Sequence, residues 1–267
     1  MREIFLRADF RPSVGTRRKA KTGQNRIHAP RIFQPNPVYM TTTTLEFGDW
    51  YDNVYPLILQ KVLSCDSDSG WQENHISLAL LDALKADSVE IRLNEDLTTS
   101  YTIDKVSGLL ETQYGDIVVL VELEINGTTV NGVAHFEAKR SHKGSPRFKM
   151  IGETQLEKML ISSRAHSVLL YDIGDDGGSR YGVATAVNTS LVIASQLKSE
   201  VLHSLGEDFV DKFSRYLAGR ELDFDAAAIQ KADAAFKNRA VVAAIRVKTR
   251  FSPKPKPKLD KKKASTI

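Results

Sequence analysis

The stretch from Gly115 to Arg140, GDIVVLVELEINGTTVNGVAHFEAKR, constrains the fold more than any other part of the chain. Runs rich in Val, Ile and Leu flank Asn126-Gly127, which is the favoured residue pair for the two-residue turn of a β-hairpin. With this turn, Ile125 pairs with Thr128, and the same register continues to both ends of the hairpin. The sequence therefore predicts that Asp116 lies opposite Glu137.

The distribution of apolar residues supports this register. Successive side chains of a strand point to opposite faces, and a slip of one residue would mix the two faces. In the predicted register one face is almost wholly apolar or small, as a core face must be. Its members are Ile117, Val119, Val121, Leu123 and Ile125, opposed by Phe136, Ala134, Gly132, Val130 and Thr128.

The other face of the hairpin ends in two carboxylates and an ammonium group, from Asp116, Glu137 and Lys139. Adjacent buried carboxylates repel each other unless a positive charge lies between them. Mg²⁺ prefers oxygen ligands, and it can lower the pKa of a bound water and offset charge on a phosphate. The pattern therefore indicates a phosphodiester hydrolysis site, with a structural ion cluster as the alternative.

The motif GD-x20-E-x-K on a hairpin, between a helix with Glu73 and a helix with Gln155, resembles the PD-(D/E)xK nuclease superfamily. The resemblance covers about residues 70–175, and Gly115 stands where the motif often has Pro. It implies an α/β fold with a restriction-endonuclease-like αβββαβ core, in which a mixed central sheet is flanked by helices.

The resemblance also implies the roles of the site residues. Asp116, Glu137 and Lys139 would form the catalytic set, supported by Gln155. Asp116, Glu137 and Glu73 would hold Mg²⁺ or Mn²⁺. His135 falls on the same face. It is a candidate for contact with phosphate or metal, and the alternative is a half-buried histidine whose hydrogen bonds are satisfied within the protein.

The charge distribution separates a body from two tails. Residues 1–39 carry nine Lys/Arg and two acids, and residues 248–267 carry eight and one, whereas residues 40–247 carry 20 bases and 30 acids. Like-charge blocks are commonly solvated arms, and basic ones often contact nucleic acid. We expect a flexible basic arm over 1–39, a single domain over 40–247 and a flexible Lys/Pro-rich tail over 248–267.

Within the body, apolar spacing predicts helices near 50–62, 72–86 and 150–164 and strands near 88–93, 99–103 and 166–173. The residues GDDGG at 174–178 predict a turn before another strand. The nuclease-like core would span about 70–175, followed by a helical extension over about 190–247. A basic loop after the hairpin is the candidate nucleic-acid-binding segment, with Arg140, His142, Lys143, Arg147 and Lys149.

Several classes of protein are disfavoured. A single cysteine, Cys65, excludes an intrachain disulfide framework and a multi-cysteine zinc site. The first 30 residues lack the apolar block of a secretory signal, and no apolar run approaches the length of a membrane span. No P-loop is present. A reducing cytoplasm is the expected compartment.

The sequence thus predicts a metal-dependent nuclease that cuts DNA, with restriction or antiviral defence as the setting by analogy with the superfamily. One alternative is a non-cleaving nucleic-acid-binding or scaffold subunit that works with a partner. Another is cleavage of RNA, although no aromatic cluster of the kind that stacks single-stranded bases stands out. A homodimer or a partner protein is expected, because cutting two strands takes two active sites.

Overall fold

The computed structural model describes residues 43–67, 69–85, 89–106, 115–142, 148, 152–195 and 202–253. The expected arm over 1–39 and the tail beyond residue 253 lie outside these ranges. The strands and α-helices that follow one another along the described chain are β1 Thr43–Glu46, α1 Phe47–Ser64, α2 Glu73–Leu84, β2 Val89–Asn94, β3 Leu97–Lys105, β4 Ile117–Ile125, β5 Thr128–Arg140, α3 Glu153–Ser162, β6 His166–Asp176, β7 Ser179–Asn188, α4 Thr189–Ala194, β8 Glu207–Asp208, α5 Phe209–Leu217, α6 Ala226–Lys237 and β9 Ala243–Phe251.

The strands form one mixed sheet in the order β1-β2-β3-β9-β4-β5-β6-β7-β8. The pairs β1/β2, β4/β9 and β5/β6 are parallel, and the remaining neighbours are antiparallel. The β5/β6 pair is connected by α3, which is the helical crossover that parallel neighbours require. This connection places the end of β5 beside the start of α3.

Helices cover both faces of the sheet, so the fold is α/β, as predicted. On one face, here the α1 face, helices α1, α2 and α5 bury the large core cluster that includes Trp50, Leu80 and Phe213. We call the opposite face the α3 face. On it, α3 and α4 pack over β6 and β7, and α6 packs over β4, β5 and β9. No helix in the described ranges is long and apolar enough to span a bilayer.

The predicted hairpin register is confirmed from the turn to Ile117, whereas Asp116 lies just outside β4. Ile125 pairs with Thr128 and Ile117 pairs with Phe136, with Asn126-Gly127 at the turn. The predicted core face is buried from Ile117 to Leu123, and it opens to solvent only near the turn, where Ile125 is 40% exposed. The three predicted helices are present as α1, α2 and α3, and α1 continues through Pro56.

The end of the chain differs most from the sequence-based expectation. Residues 190–247 were predicted to be a helical extension, but they include β8 and the first half of β9. Residues 248–251 were assigned to the flexible tail, yet they form the second half of β9, in the interior of the sheet. The basic residues of β9 are held by acids of the neighbouring strands: Arg246 by Asp104, Lys248 by Glu122 and Arg250 by Glu124.

Two further expectations differ in part from the structure. Among the described residues, four strands lie between α2 and α3, and β9 enters the sheet between β3 and β4, so the αβββαβ core that the resemblance implies is not confirmed. The turn expected over 174–178 is confined to Gly177 and Gly178, because β6 continues to Asp176 and pairs there with Ser179. Both glycines have positive φ, which suits a tight two-residue turn.

Candidate active site

The charged end of the hairpin lies on the α3 face of the sheet, near the C-terminal end of β5. The side chains of Asp116, Glu137 and Lys139 meet there, and their residues are only 7%, 4% and 8% exposed. Burying ionisable groups is costly unless they are paired and hydrogen-bonded. The three residues that sequence reasoning placed together are therefore close in space and removed from bulk water.

Asp116 is fixed by main-chain contacts. Its amide N donates to the carbonyl O of Phe136 at 2.8 Å, and its own carbonyl O accepts from Val242 N at 2.7 Å. Its side-chain Oδ2 accepts from Ala138 N at 2.6 Å. The carboxyl group is thus bound to the strand that carries Glu137 and Lys139.

Gly115 is required by the backbone path into Asp116. Its φ is +82°, and a Cβ at this position would lie 2.7 Å from the carbonyl O of Phe136. Proline fixes φ near about −65°. Gly115 is therefore not interchangeable with the Pro that the nuclease motif often has here, and the chain enters the site along a different backbone path.

Two helices add polar side chains to the cluster: α3 supplies Gln155 and the start of α2 supplies Glu73. Gln155 Nε2 donates to Glu137 Oε1 at 2.9 Å, and the same oxygen accepts from Lys139 Nζ, on β5, at 2.5 Å. Glu73, at the start of α2, has Oε2 at 4.0 Å from Lys139 Nζ. The structure thus brings together all five residues that the sequence assigned to the catalytic and metal-ligating sets.

Burial sets the protonation of the acids. It raises the pKa of Asp116 to about 8, with the negative charge of Glu137 adding to the effect. It raises the pKa of Glu137 as well, and the opposing attraction of Lys139 is too weak to cancel it. Burial alone would lower the pKa of Lys139, but the attraction and hydrogen bond of Glu137, together with the attraction of Glu73 and Asp116, outweigh it and the net pKa is raised. Lys139 therefore remains a protonated ammonium group. Its positive charge compensates the neighbouring acids only in part, so their pKa values stay raised.

Comparisons of the chain with protein-family models, with curated proteins and with solved structures found no match. What the site does is therefore inferred from its own residues.

The donor types of the cluster suit a divalent cation, since carboxylate and amide oxygens are ligands of Mg²⁺ and Mn²⁺. Their arrangement in this structure is not that of a preformed metal site. Within the described ranges, no group of three or more His, Cys, Asp or Glu side chains is placed to hold a metal ion. The ammonium of Lys139 is instead the cation that contacts Glu137 and approaches Glu73.

The proposed nucleic-acid-binding loop is described only at its start. Arg140 is half-buried, and its backbone N lies 3.4 Å from Glu73 Oε1, whereas His142 is exposed. Lys143, Arg147 and Lys149 lie outside the described residues. Arg140 directly follows Lys139 and contacts Glu73, so one member of the predicted binding set adjoins the cluster, and His142 lies two residues further along the chain.

Two residues near the site were missed from the sequence. Trp71 donates from Nε1 to the carbonyl O of Ser141 at 2.8 Å, which ties the chain before α2 to the end of β5. His166 is fully buried and stacks on His135 with ring centroids 5.8 Å apart. Both contacts join distant segments, and a local sequence pattern carries no signal for them. The half-buried histidine expected at position 135 is in fact fully buried.

Proposed function

We propose that the chain is a divalent-metal-dependent nuclease that hydrolyses phosphodiester bonds in DNA. The observation that carries the proposal is the buried meeting of Asp116, Glu137 and Lys139 on one face of a hairpin, with Glu73 and Gln155 brought in by two separate helices. Burying the carboxyl groups of Asp116 and Glu137 together with one ammonium, beside the partly buried Glu73, costs stability. Such an arrangement is typical of a site that a ligand completes.

Each residue has a role that its contacts support. Asp116, Glu137 and Glu73 would hold Mg²⁺ or Mn²⁺, and Gln155 orients Glu137 through its hydrogen bond. The bound ion supplies the chemistry of lowering the pKa of a water and offsetting charge on the phosphate. Lys139 remains protonated beside the acids, so it serves to stabilise negative charge on the substrate rather than to remove a proton.

Basic residues next to the cluster support a nucleic-acid substrate. Arg140 follows Lys139 directly and His142 comes two residues later, and the remaining basic loop and both basic tails add positive charge to an acidic body. Such charge binds phosphate backbones in a salt-dependent way and carries no sequence information. The described elements from α2 to β6 differ from the proposed nuclease core by one added strand, and restriction or antiviral defence remains the proposed setting.

One observation favours a second candidate, a non-cleaving subunit. Lys139 already forms an ion pair with Glu137, and this pair compensates part of the charge without a metal ion. A scaffold that binds nucleic acid with a partner would keep the acids as a structural cluster.

Cleavage assays separate the two candidates. The full chain is incubated with plasmid, linear duplex DNA, single-stranded DNA and RNA in Mg²⁺, Mn²⁺ or EDTA, beside Glu137→Gln and Lys139→Met. The matched control is Glu122→Gln, on the same face of the same hairpin but half-exposed at its far end. We expect metal-dependent cleavage that falls by at least about a hundredfold in the two site variants and is unchanged in the control.

The result also selects the substrate. Cleavage of RNA in preference to DNA would reassign the substrate class, and retained cleavage in Glu137→Gln would exclude this cluster as the site. Binding of DNA without cleavage by the wild type, in any of the metals, would support the scaffold candidate.

A further inference from the structure

The position of Lys139 within the cluster carries a further inference. Its Nζ lies 2.5 Å from Glu137 Oε1 and 4.0 Å from Glu73 Oε2, so one ammonium is near carboxylates from β5 and from the start of α2. The residue is only 8% exposed, and this contact is made inside the protein rather than in solvent. The ammonium thus lies between two of the three groups proposed to ligate the metal.

The two cations would use the same oxygen. Glu137 Oε1 accepts from both Lys139 Nζ and Gln155 Nε2. That oxygen has two lone pairs and both are in use, so a divalent cation that ligates it has to displace one of the two donors, and repulsion between like charges favours displacement of the ammonium. The four-carbon chain of lysine gives the ammonium freedom to move while its Cα stays in the strand.

We propose that the ammonium of Lys139 fills the place of the divalent cation when the metal is absent, and that it must leave Glu137 before the ion binds. This inference rests on the proposed metal-dependent function. It gives Lys139 a second role, in which it weakens the affinity for the metal and keeps the buried acids compensated in the metal-free protein. Release from Glu137 then frees the ammonium to contact the substrate phosphate.

The test measures metal binding and needs no nucleic acid. Mn²⁺ is titrated into the full chain and into Lys139→Met, whose unbranched side chain is one atom shorter and carries no charge. The dissociation constant is obtained by calorimetry or electron paramagnetic resonance. A charge-assisted hydrogen bond must be broken only in the wild type. We therefore expect Lys139→Met to bind Mn²⁺ about tenfold more tightly or better.

Lys212→Met is the matched control. Lys212 is also buried, and its Nζ pairs with Glu221 at 2.5 Å and with Glu207 at 3.4 Å, outside the cluster of Asp116, Glu137 and Lys139. Its loss changes the net charge equally, and we expect the Mn²⁺ affinity of the wild type. The double variant Lys139→Met/Glu137→Gln should lose the increase in Mn²⁺ affinity seen in Lys139→Met. This loss would locate the bound ion at the cluster.

A second measurement uses the unaltered protein. In protein labelled with ¹⁵N-lysine, the ammonium resonance of Lys139 should shift as Mg²⁺ is added, along the same saturation curve as Mg²⁺ binding. Equal Mn²⁺ affinity in the wild type and Lys139→Met, or Mg²⁺ binding without a shift, would overturn the displacement and leave the nuclease proposal in place. A similar gain in Lys212→Met would also overturn it. Absence of binding in every protein would overturn both proposals.

Discussion

Asp116 shows how main-chain contacts fix the centre of the site. Its amide N, its carbonyl O and its Oδ2 all bond to backbone atoms, on β5 and just before β9. Asparagine has the same shape and keeps an oxygen that can accept from Ala138 N. Asp116→Asn should therefore preserve the geometry while removing only the ionisable proton, which makes it a clean probe of the charge.

The charge of Asp116 should appear in the pH dependence of stability. Because the pKa is raised in the folded protein to about 8, the stability that the neutral carboxyl contributes is complete below its ordinary pKa of 3.8 and is lost as the pH rises through about 8. In EDTA, the free energy of unfolding of the wild type should fall across this window. A single carboxyl contributes a slope of up to about 1.4 kcal/mol per pH unit.

Denaturant unfolding at several pH values between 4 and 8 checks this prediction. Asp116→Asn should give a flatter curve, and Glu124→Gln should keep the wild-type slope because Glu124 is exposed and paired with Arg250. Parallel curves for the wild type and Asp116→Asn would show that the carboxyl is already ionised in the folded protein.

At the scale of elements, local patterns were predicted from the sequence and distant pairings were not. The hairpin register follows from Asn126-Gly127 and from the alternation of side chains, because both strands are adjacent in the chain. β9 was missed because its basic residues resemble those of the tail that follows. Its own alternation, with Ile245, Val247 and Thr249 buried between charged residues, was a strand signal that charge counting concealed.

The same distinction applies to the site. The proximity of Asp116, Glu137 and Lys139 to one another and to the two helical contributors could be predicted, since each lies in or beside an element with a clear pattern. The contact of Trp71 with Ser141 could not, because it depends on how the start of α2 packs against the end of β5.

Trp71 provides a test at this scale. Trp71→Phe removes the Nε1 donor and leaves the buried carbonyl of Ser141 without it, which should cost about 1–3 kcal/mol of stability. It should also weaken Mn²⁺ binding severalfold, because the end of β5 is no longer tied to the segment that carries Glu73.

The control is Trp50→Phe, which removes a comparable buried bond from Trp50 Nε1 to Tyr101 OH at 3.2 Å. Thermal unfolding and Mn²⁺ titration are measured on both variants. A loss of Mn²⁺ affinity in Trp50→Phe of the same size would mean that general loosening, rather than positioning by Trp71, causes the effect.

For the whole molecule, the location of β9 decides where the chain can be shortened. The strand pairs with β3 on one side and with β4 on the other, and it buries Ala243, Ile245 and Val247 in the α1-face core. A chain ending at residue 247, the boundary predicted from charge, would lose half of these pairings. We expect it to lack a cooperative unfolding transition.

A chain ending at Pro253 keeps all of β9 and removes six lysines of the tail. We expect it to unfold like the full chain, and to bind DNA more weakly with a shallower dependence on salt. Circular dichroism and DNA binding at several salt concentrations check both truncations. A folded chain ending at residue 247 would contradict the structural role given to β9.

The pairing of β9 also has a consequence for the order in which the protein is built. A chain that leaves the ribosome presents β3, β4 and β5, with their buried acids, long before β9 is synthesised. Until then β3 and β4 have no strand between them, and the carbonyl of Asp116 has no Val242 N to accept from. Contacts so far apart in the chain form slowly. The cluster therefore reaches its final geometry only near the end of folding, so a nascent chain should lack the complete site, and under the proposed function it should lack nuclease activity.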